Sequence, residues 1–426
     1  MENQHTANKN KRISPRRSKR EWQVGEVFVL LVGGSAAACT LIYAIFGNGR
    51  FADGFFLRGG DFFMDFFNSL RDAAQGSGVY SERGVIYPPM ANLIFLLLSR
   101  FVPSVYADSS FAARRCWALY DECLLLLLVV LVFCVAALLL TLFLARREGT
   151  EARRLCFATV ALLGVPLLHL LERGNIILLC FVAMMVYAFT YNSQSKLWRE
   201  VGLVCLGFAF SLKLYPVVFG WQLIADRRYR DAARCALYGF LMLLIPSFFF
   251  GGPIFCLVQV LENIFGFSTG TGNTVTKVMA YLGISPLIRT IMNALAYVWV
   301  LICGVGFAVS AYLRKEKVWK TWTLGLVTIL CIPSLTGMYN WAFFLIPLIM
   351  LANRARASGR EWVGVWLMML PFAHLPFRFS LHVAPSDVLV YVMTAALSVF
   401  SVLDLWFDIL AYRRAKNRLD KPNRVW

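Results

Sequence analysis

Along this chain, long apolar runs alternate with short polar connections. Candidate spans lie near residues 26–47, 88–103, 118–145, 155–171, 175–192, 201–224, 233–250, 287–313, 319–335, 338–352, 362–376 and 387–412. A hydrocarbon core of ~30 Å is crossed by about 20 apolar residues in a helix, so the pattern predicts an all-α polytopic membrane protein of about twelve transmembrane helices, with both termini on one side. No polar stretch is long enough for a soluble domain. The expected organisation is one membrane domain over 22–412, between a basic tail at 1–21 and another at 413–426.

Two connections are long enough to hold a site, Gly47 to Tyr87 and Gly251 to Pro286, and both fall on the side away from the termini. Within the first outer loop, 59–90, Gly59-Gly60 break the chain and Asp61 suits the N-cap of a helix over 62–74. On that helix Asp61, Asp65, Asn68 and Asp72 recur at helical spacing as one polar stripe, while Phe62, Phe63, Phe66, Phe67 and Leu70 cover much of the rest. That is the pattern of an interfacial helix, lying at headgroup depth. Tyr87-Pro88-Pro89 then fixes an extended approach to the next span. The second outer loop, 251–286, carries Gly251-Gly252-Pro253 and a Ser/Thr/Gly run from Ser268 to Thr274, and reads as a flexible loop or a gate over a lipid-linked substrate. Its glycines do not make a P-loop, since no strand precedes them and no GK[ST] follows.

Composition removes whole classes. With 59% hydrophobic and 15% charged residues, and a mean hydropathy of +0.64, the chain is no ordinary soluble globule. The net charge of +18 does not point to nucleic acid, because the basic residues sit in short clusters between spans. As topology signals they place both termini in the cytoplasm and any outer-loop site outside it. Arg146, Arg147, Arg153 and Arg154 run against the scheme, falling on its outer side. The basic stretch Lys9 to Arg20 precedes an apolar run too long for a cleaved signal, so it is expected to lie against anionic headgroups of a prokaryotic plasma membrane. Eleven cysteines form no CxxC pair, and His169, His374 and His382 lack metal-ligand spacing, so neither a disulfide framework nor a metal site is expected.

Few residues could carry chemistry. Asp61 can act as general base for a hydroxyl acceptor, or simply cap its helix; Asp65, one turn on, has the same two readings. Lys213 sits about midway through an apolar run, where a lysine costs on the order of 2.5–3.5 kcal/mol unless it faces a polar cavity or a partner. Pro216 would open the helix beside it. A phosphate ligand or a buried acid would each account for Lys213. Glu172-Arg173-Gly174-Asn175 is either the solvated tip of a hairpin or a way of placing an amide in a cavity.

In order along the chain, Asp61, Gly78-Val79-Tyr80, Tyr87-Pro88-Pro89, Gly174-Asn175, Lys213-x-x-Pro216 and Arg227-Arg228 resemble glycosyltransferase family 87, within the wider GT-C group. The likeness covers roughly residues 26–230, and hydropathy alone extends it further. It implies a GT-C-like fold and inverting transfer of a hexose, often mannose, from a polyprenyl-phosphate sugar. The acceptor would be a lipid- or glycan-linked hydroxyl, with no cofactor or metal and with the first-loop aspartate as base. By position, Asp61 becomes that base, with Asp65 as the alternative. Tyr87, Asn175 and Lys213 become candidates for the donor pocket, and Tyr80 of the matching motif is a further substrate-binding candidate; apart from the resemblance, Arg58 and Arg173 are reserve cations for the phosphate beside Lys213. Where many members carry a glycine-glutamine pair before the asparagine, this chain has Arg173-Gly174, which leaves sugar and acceptor open. The competing readings are a polytopic transporter or lipid flippase, and a polymerase or ligase for lipid-diphosphate-linked glycans.

Overall fold

The computed structural model describes residues 23–47, 55–56, 62–102, 121–270, 283–314, 317–332, 337–354, 357–375 and 385–419. Arg58, Asp61, the Gly59-Gly60 break and His382 lie outside these described residues. All described elements are helical. In chain order they are α1 (Val24–Phe46), α2 (Met64–Ala73), α3 (Gly78–Ser81), α4 (Pro89–Ser99), α5 (Asp121–Ala145), α6 (Glu151–Leu162), α7 (Val165–Arg173), α8 (Ile177–Thr190) and α9 (Lys196–Leu212). A 3₁₀ turn (Tyr215–Gly220) leads into α10 (Trp221–Ala225), followed by α11 (Tyr229–Ser247), α12 (Pro253–Gly270), α13 (Pro286–Leu313) and α14 (Val318–Leu330). A second 3₁₀ segment (Met338–Phe344) precedes α15 (Leu345–Ala352), α16 (Gly359–Met369) and α17 (Pro385–Leu419).

By length and composition, five of these helices can cross a bilayer: Val24–Phe46, Cys123–Ala145, Tyr229–Phe250, Pro286–Leu313 and Val388–Asn417. A sixth is added if α6 and α7, bent by 61° at Gly164, count as one. Other apolar runs are broken into shorter helices, and the breaks have local causes. Lys213 is extended, at φ −146° and ψ 134°, so the run 201–224 stops at Leu212 and resumes as the 3₁₀ turn containing Pro216. α4 has 11 residues and at ~1.5 Å per residue is far shorter than a span, so the stretch 88–103 is not a full crossing. The outer connection 251–286 is not a plain loop either, because α12 occupies its first half.

The helices share two ends. At one, Arg146 follows α5, lies within contact distance of Gly25 at the start of α1, and donates to Ala352 O and to Asn353 Oδ1. Arg147 donates to Phe189 O at 3.0 Å, and Arg228 to Tyr191 O at 2.7 Å. The arginines that ran against the topology scheme therefore stand at the same end as the start of α1, which removes the conflict. That end also gathers a buried charge network. Asp404 of α17 accepts from Arg314 at 2.8 Å and Lys320 at 2.7 Å, while Arg360 Nε lies 2.8 Å from its other oxygen. Asp408, one turn on, pairs with the same cations.

Small residues set how closely the helices approach. A Cβ at Gly207 of α9 would lie 2.8 Å from the Gly239 backbone nitrogen of α11, so this pair lets the two backbones touch, as small residues do between membrane helices. The core is aromatic, with Trp322 stacked 4.2 Å from Phe219 and Phe66 edge-on to Phe67.

Asp404→Ala takes from buried Arg314 and Lys320 the buried one of their two carboxylates and leaves them the partly exposed Asp408, so the loss approaches but does not exceed the about 3–5 kcal/mol of a buried ion pair broken from one side. A marked fall in the thermal unfolding midpoint is expected in detergent. Asp408→Ala, whose side chain is 25% exposed, should lower it less.

Candidate active site

The helix after the first span begins later than its polar stripe suggests. Phe63, not Asp61, occupies the N-cap of α2, in a left-handed conformation at φ 57°. Its N–H donates to Glu172 O at 2.6 Å, so the turn is held by the end of α7 and not by a capping side chain. The aromatic face of α2 packs into protein: Phe63, Phe66, Phe67 and Leu70 are all buried, and Phe66 meets Phe95 of α4.

Asp65 points from α2 to the α7–α8 turn. One carboxylate oxygen accepts from Arg173 Nε at 3.1 Å and from its Nη2; the other accepts from Asn175 Nδ2 at 2.8 Å. Asn175 is locked in this orientation because its Oδ1 accepts the Ile177 N–H at 3.0 Å, the first turn of α8. Gly174 permits the turn, since its φ of +61° is left-handed and a Cβ there would lie 2.8 Å from Phe63 Cδ1 and Phe66 Cβ. The tetrad 172–175 is therefore no solvated tip: Glu172 is 0% exposed and Asn175 5%.

Tyr87 joins this cluster. Its hydroxyl accepts from Asn175 Nδ2 at 3.4 Å, and the Lys213 ammonium lies 4.0 Å from its ring centroid. Burial first, and the nearby Asp65 charge second, push the Tyr87 phenol well above its ordinary range, so it stays a neutral donor. Lys213 stands at the helix break with no described carboxylate in ion-pairing distance, and so with capacity for an anion. Ser211, Leu212 and Pro216 around it are buried, whereas Lys213 and Tyr215 keep accessible surface, as residues lining a cavity do.

Residues not singled out in the sequence complete the surroundings. Tyr215 donates to Asn340 Oδ1 at 3.2 Å, which brings the 3₁₀ segment 338–344 to the site. Tyr339 of that segment stacks on His169, 5.5 Å between centroids, and His169 Nδ1 is 2.9 Å from Glu172 Oε2. Their signals were an asparagine inside an apolar run and a tyrosine two residues past Lys213.

Tyr80 stands one layer back. It is 0% exposed, donates to Tyr87 O at 3.1 Å and accepts from Asn92 at 2.9 Å, so it holds the Tyr87 backbone and does not face the cluster. Asn263 of α12 donates to Tyr80 O and Val85 O, both at 3.1 Å, tying the second outer connection to the first. Histidines are engaged structurally: His374 Nε2 is 2.6 Å from Leu163 O. Among the described residues no group of His, Cys, Asp or Glu could hold a metal ion, and their cysteines are free thiols.

Beside the cluster opens an apolar groove of about 410 Å³, with Phe63, Phe66, Phe95, Val129, Phe133 and Leu178 among its walls. Gly174 and Asn175 also line it, so it meets the polar cluster at the α7–α8 turn.

The described residues thus bring a polar, aromatic-lined cluster against an apolar groove. A family model described as glycosyltransferase family 87 matches residues 86–336, more than half of the chain. The protein belongs to glycosyltransferase family 87. No curated protein and no solved structure matches it. The matched segment takes in Tyr87, Arg173, Asn175, Lys213 and Tyr215, begins after Asp61 and Asp65, extends well beyond residue 230, and stops short of Asn340.

Gly174→Ala imposes strain at positive φ and a clash with two phenylalanines, an expected loss of about 1–3 kcal/mol. Gly76→Ala, at φ +59° with open space around it, is the comparison and should lose less. Thermal unfolding of the two variants side by side measures the difference.

Proposed function

We propose that this protein transfers a hexose, most simply mannose, from a polyprenyl-phosphate sugar to a hydroxyl of a lipid- or glycan-linked acceptor, with inversion. The observation that carries this reading is the meeting of the Asp65–Arg173–Asn175–Tyr87–Lys213 cluster with an apolar groove at one turn of chain. A lipid-phosphate sugar needs such a pair of surfaces: a polar place for phosphate and sugar, and a dry one for the tail. Family membership favours a transferase over a transporter or flippase.

In the proposed reaction Asp61 takes the acceptor proton as the hydroxyl oxygen attacks the anomeric carbon. The bond from that carbon to the phosphate oxygen breaks, and polyprenyl phosphate leaves with the electron pair. A single displacement inverts the centre. The negative charge gained by the leaving phosphate is stabilised by Lys213, whose ammonium is ion-paired to no described carboxylate, in a site where low dielectric strengthens the contact. Asp65 is a poor second base, because both its oxygens already accept from Arg173 and Asn175. Its proposed role is to hold those two residues and, four residues on, to anchor the segment that carries Asp61.

The end bearing Arg146, Arg147, Arg228 and Arg314 is read as cytoplasmic by the positive-inside rule, which puts the cluster toward the outer face of a prokaryotic plasma membrane. On the proposed topology the shorter apolar helices run between the two faces as well as the five or six long ones, for about twelve crossings in all. Their composition differs from the sequence estimate. The run 88–103 drops out, and 201–224 supplies two, one on each side of Lys213.

With purified protein, polyprenyl-phosphate mannose and a lipid-linked acceptor, Asp61→Asn should lower transfer about 10²–10⁴-fold, as loss of a general base does, with donor binding retained. Full activity in that variant would remove Asp61 as base. Lys213→Gln should lower the turnover number more than it raises KM, because the phosphate gains its charge on departure.

A further inference from the structure

At the basic end, away from the candidate active site, lies a second cavity of about 700 Å³. The distance follows from the helices that join the two places. α8 begins beside Asn175 and ends at Thr190, next to cavity residues Tyr191 to Gln194; its 14 residues span roughly 20 Å. We infer that this cavity is a binding site for the phosphate headgroup of an anionic membrane lipid.

The level of the cavity in the bundle argues for a headgroup. Arg147 follows two residues after the strongly apolar span Cys123–Ala145, Trp319 opens α14, and Asn353 and Arg354 follow the end of α15. All of these are positions where apolar helices meet the membrane surface. The donors argue for phosphate. Arg147 is exposed, and one arm of its guanidinium is fixed by the bond to Phe189 O, which leaves the fork oriented. Arg354 lines the cavity with it, against a single acidic side chain, Glu148. Trp319 is 3% exposed, and its indole N–H has no acceptor among the described residues. A buried donor left unpaired carries a cost that a phosphate oxygen would remove.

A lipid is favoured over a soluble phosphate by what adjoins the cavity. Leu197 and Trp198, just past Gln194 at the start of α9, are 69% and 54% exposed, an apolar and interfacial pair where acyl chains would run. The volume also exceeds what a bare ion needs and suits a headgroup with its glycerol.

The test uses the full chain in nanodiscs, with phosphatidylglycerol titrated into phosphatidylcholine and bound lipid counted by native mass spectrometry. The Arg147→Gln/Arg354→Gln variant should retain phosphatidylglycerol about tenfold more weakly than the wild type. Trp319→Phe, which keeps the ring and removes the N–H, should weaken it severalfold and serves if the double variant does not fold. Arg413→Gln/Arg414→Gln removes equal charge from exposed positions on α17 and should change retention little. Unaltered retention in both cavity variants overturns the inference, and so does an equal loss in the α17 variant, which would mean diffuse attraction. Glycerol phosphate competing at the affinity of the lipid would assign the cavity to a soluble phosphate and overturn the lipid assignment. Sugar transfer is not the readout, so this test and that of the transferase fail independently.

Discussion

The arrangement of the candidate site depends on one carboxylate. Asp65 bonds to Arg173 and Asn175 on either side of Gly174, and so joins the outer-loop helix α2 to the turn between α7 and α8. Each partner is placed by its helix: Arg173 ends α7, where a cation complements the dipole, and Asn175 turns its oxygen onto the first amides of α8. The Phe63 N–H on Glu172 O adds a backbone tie between the same elements. Tyr87 then rests on the Asn175 amide, and Lys213 on the Tyr87 ring. Removing the carboxylate would take from the Arg173 guanidinium and the Asn175 amide the acceptor they share, and from the loop its anchor.

Helices interrupted inside a membrane usually line cavities, because freed backbone groups must find partners away from lipid. Here the interruptions converge. Gly174 ends one helix and Lys213 another, and the 3₁₀ segment 338–344 supplies Asn340 to the Tyr215 hydroxyl. Each break sets polar groups at a depth where continuous helices would present only side chains. The site is thus built from the same departures from regular helix that reduce the number of long spans to five or six.

Much of this could be read in the sequence, and what could not has a physical pattern. The polar island, the isolated Lys213, the Gly174-Asn175 turn and the family likeness are local signals, visible because they violate the surrounding apolar pattern. The Asp65–Arg173 pair joins residues 108 positions apart, and no spacing rule predicts such a contact. For that reason Arg173 was a reserve for phosphate when read from sequence, whereas in the fold it is committed to Asp65. The stretch 88–103 counted as a span because hydropathy does not register where a helix stops; α4 ends at Ser99. The same limit put the arginines after α5 on the wrong side, until their contacts with Ala352, Asn353 and Phe189 fixed their end. Tyr80 belonged to a recognisable motif, yet its buried hydroxyl supports the Tyr87 backbone, a difference only packing reveals.

On the proposed reading, the groove and the cluster divide the work in a way that thermodynamics constrains. An isoprenoid tail enters the groove from lipid and not from water, so the ~0.8 kcal/mol per methylene of burial from water does not apply, and the groove holds the donor by packing that complements its shape. That affinity is the same before and during reaction, so it lowers KM without accelerating the chemistry. Acceleration must come from groups whose interaction changes as the bond breaks: a base at the acceptor oxygen and a cation at the departing phosphate. Lys213 has the position for the second role because the Tyr87 ring holds its ammonium without neutralising it, whereas Arg173 is already paired. The aromatic contact and the ion pair therefore differ in function although they share a cluster. One keeps a positive charge available, and the other uses a positive charge to hold the loop in place.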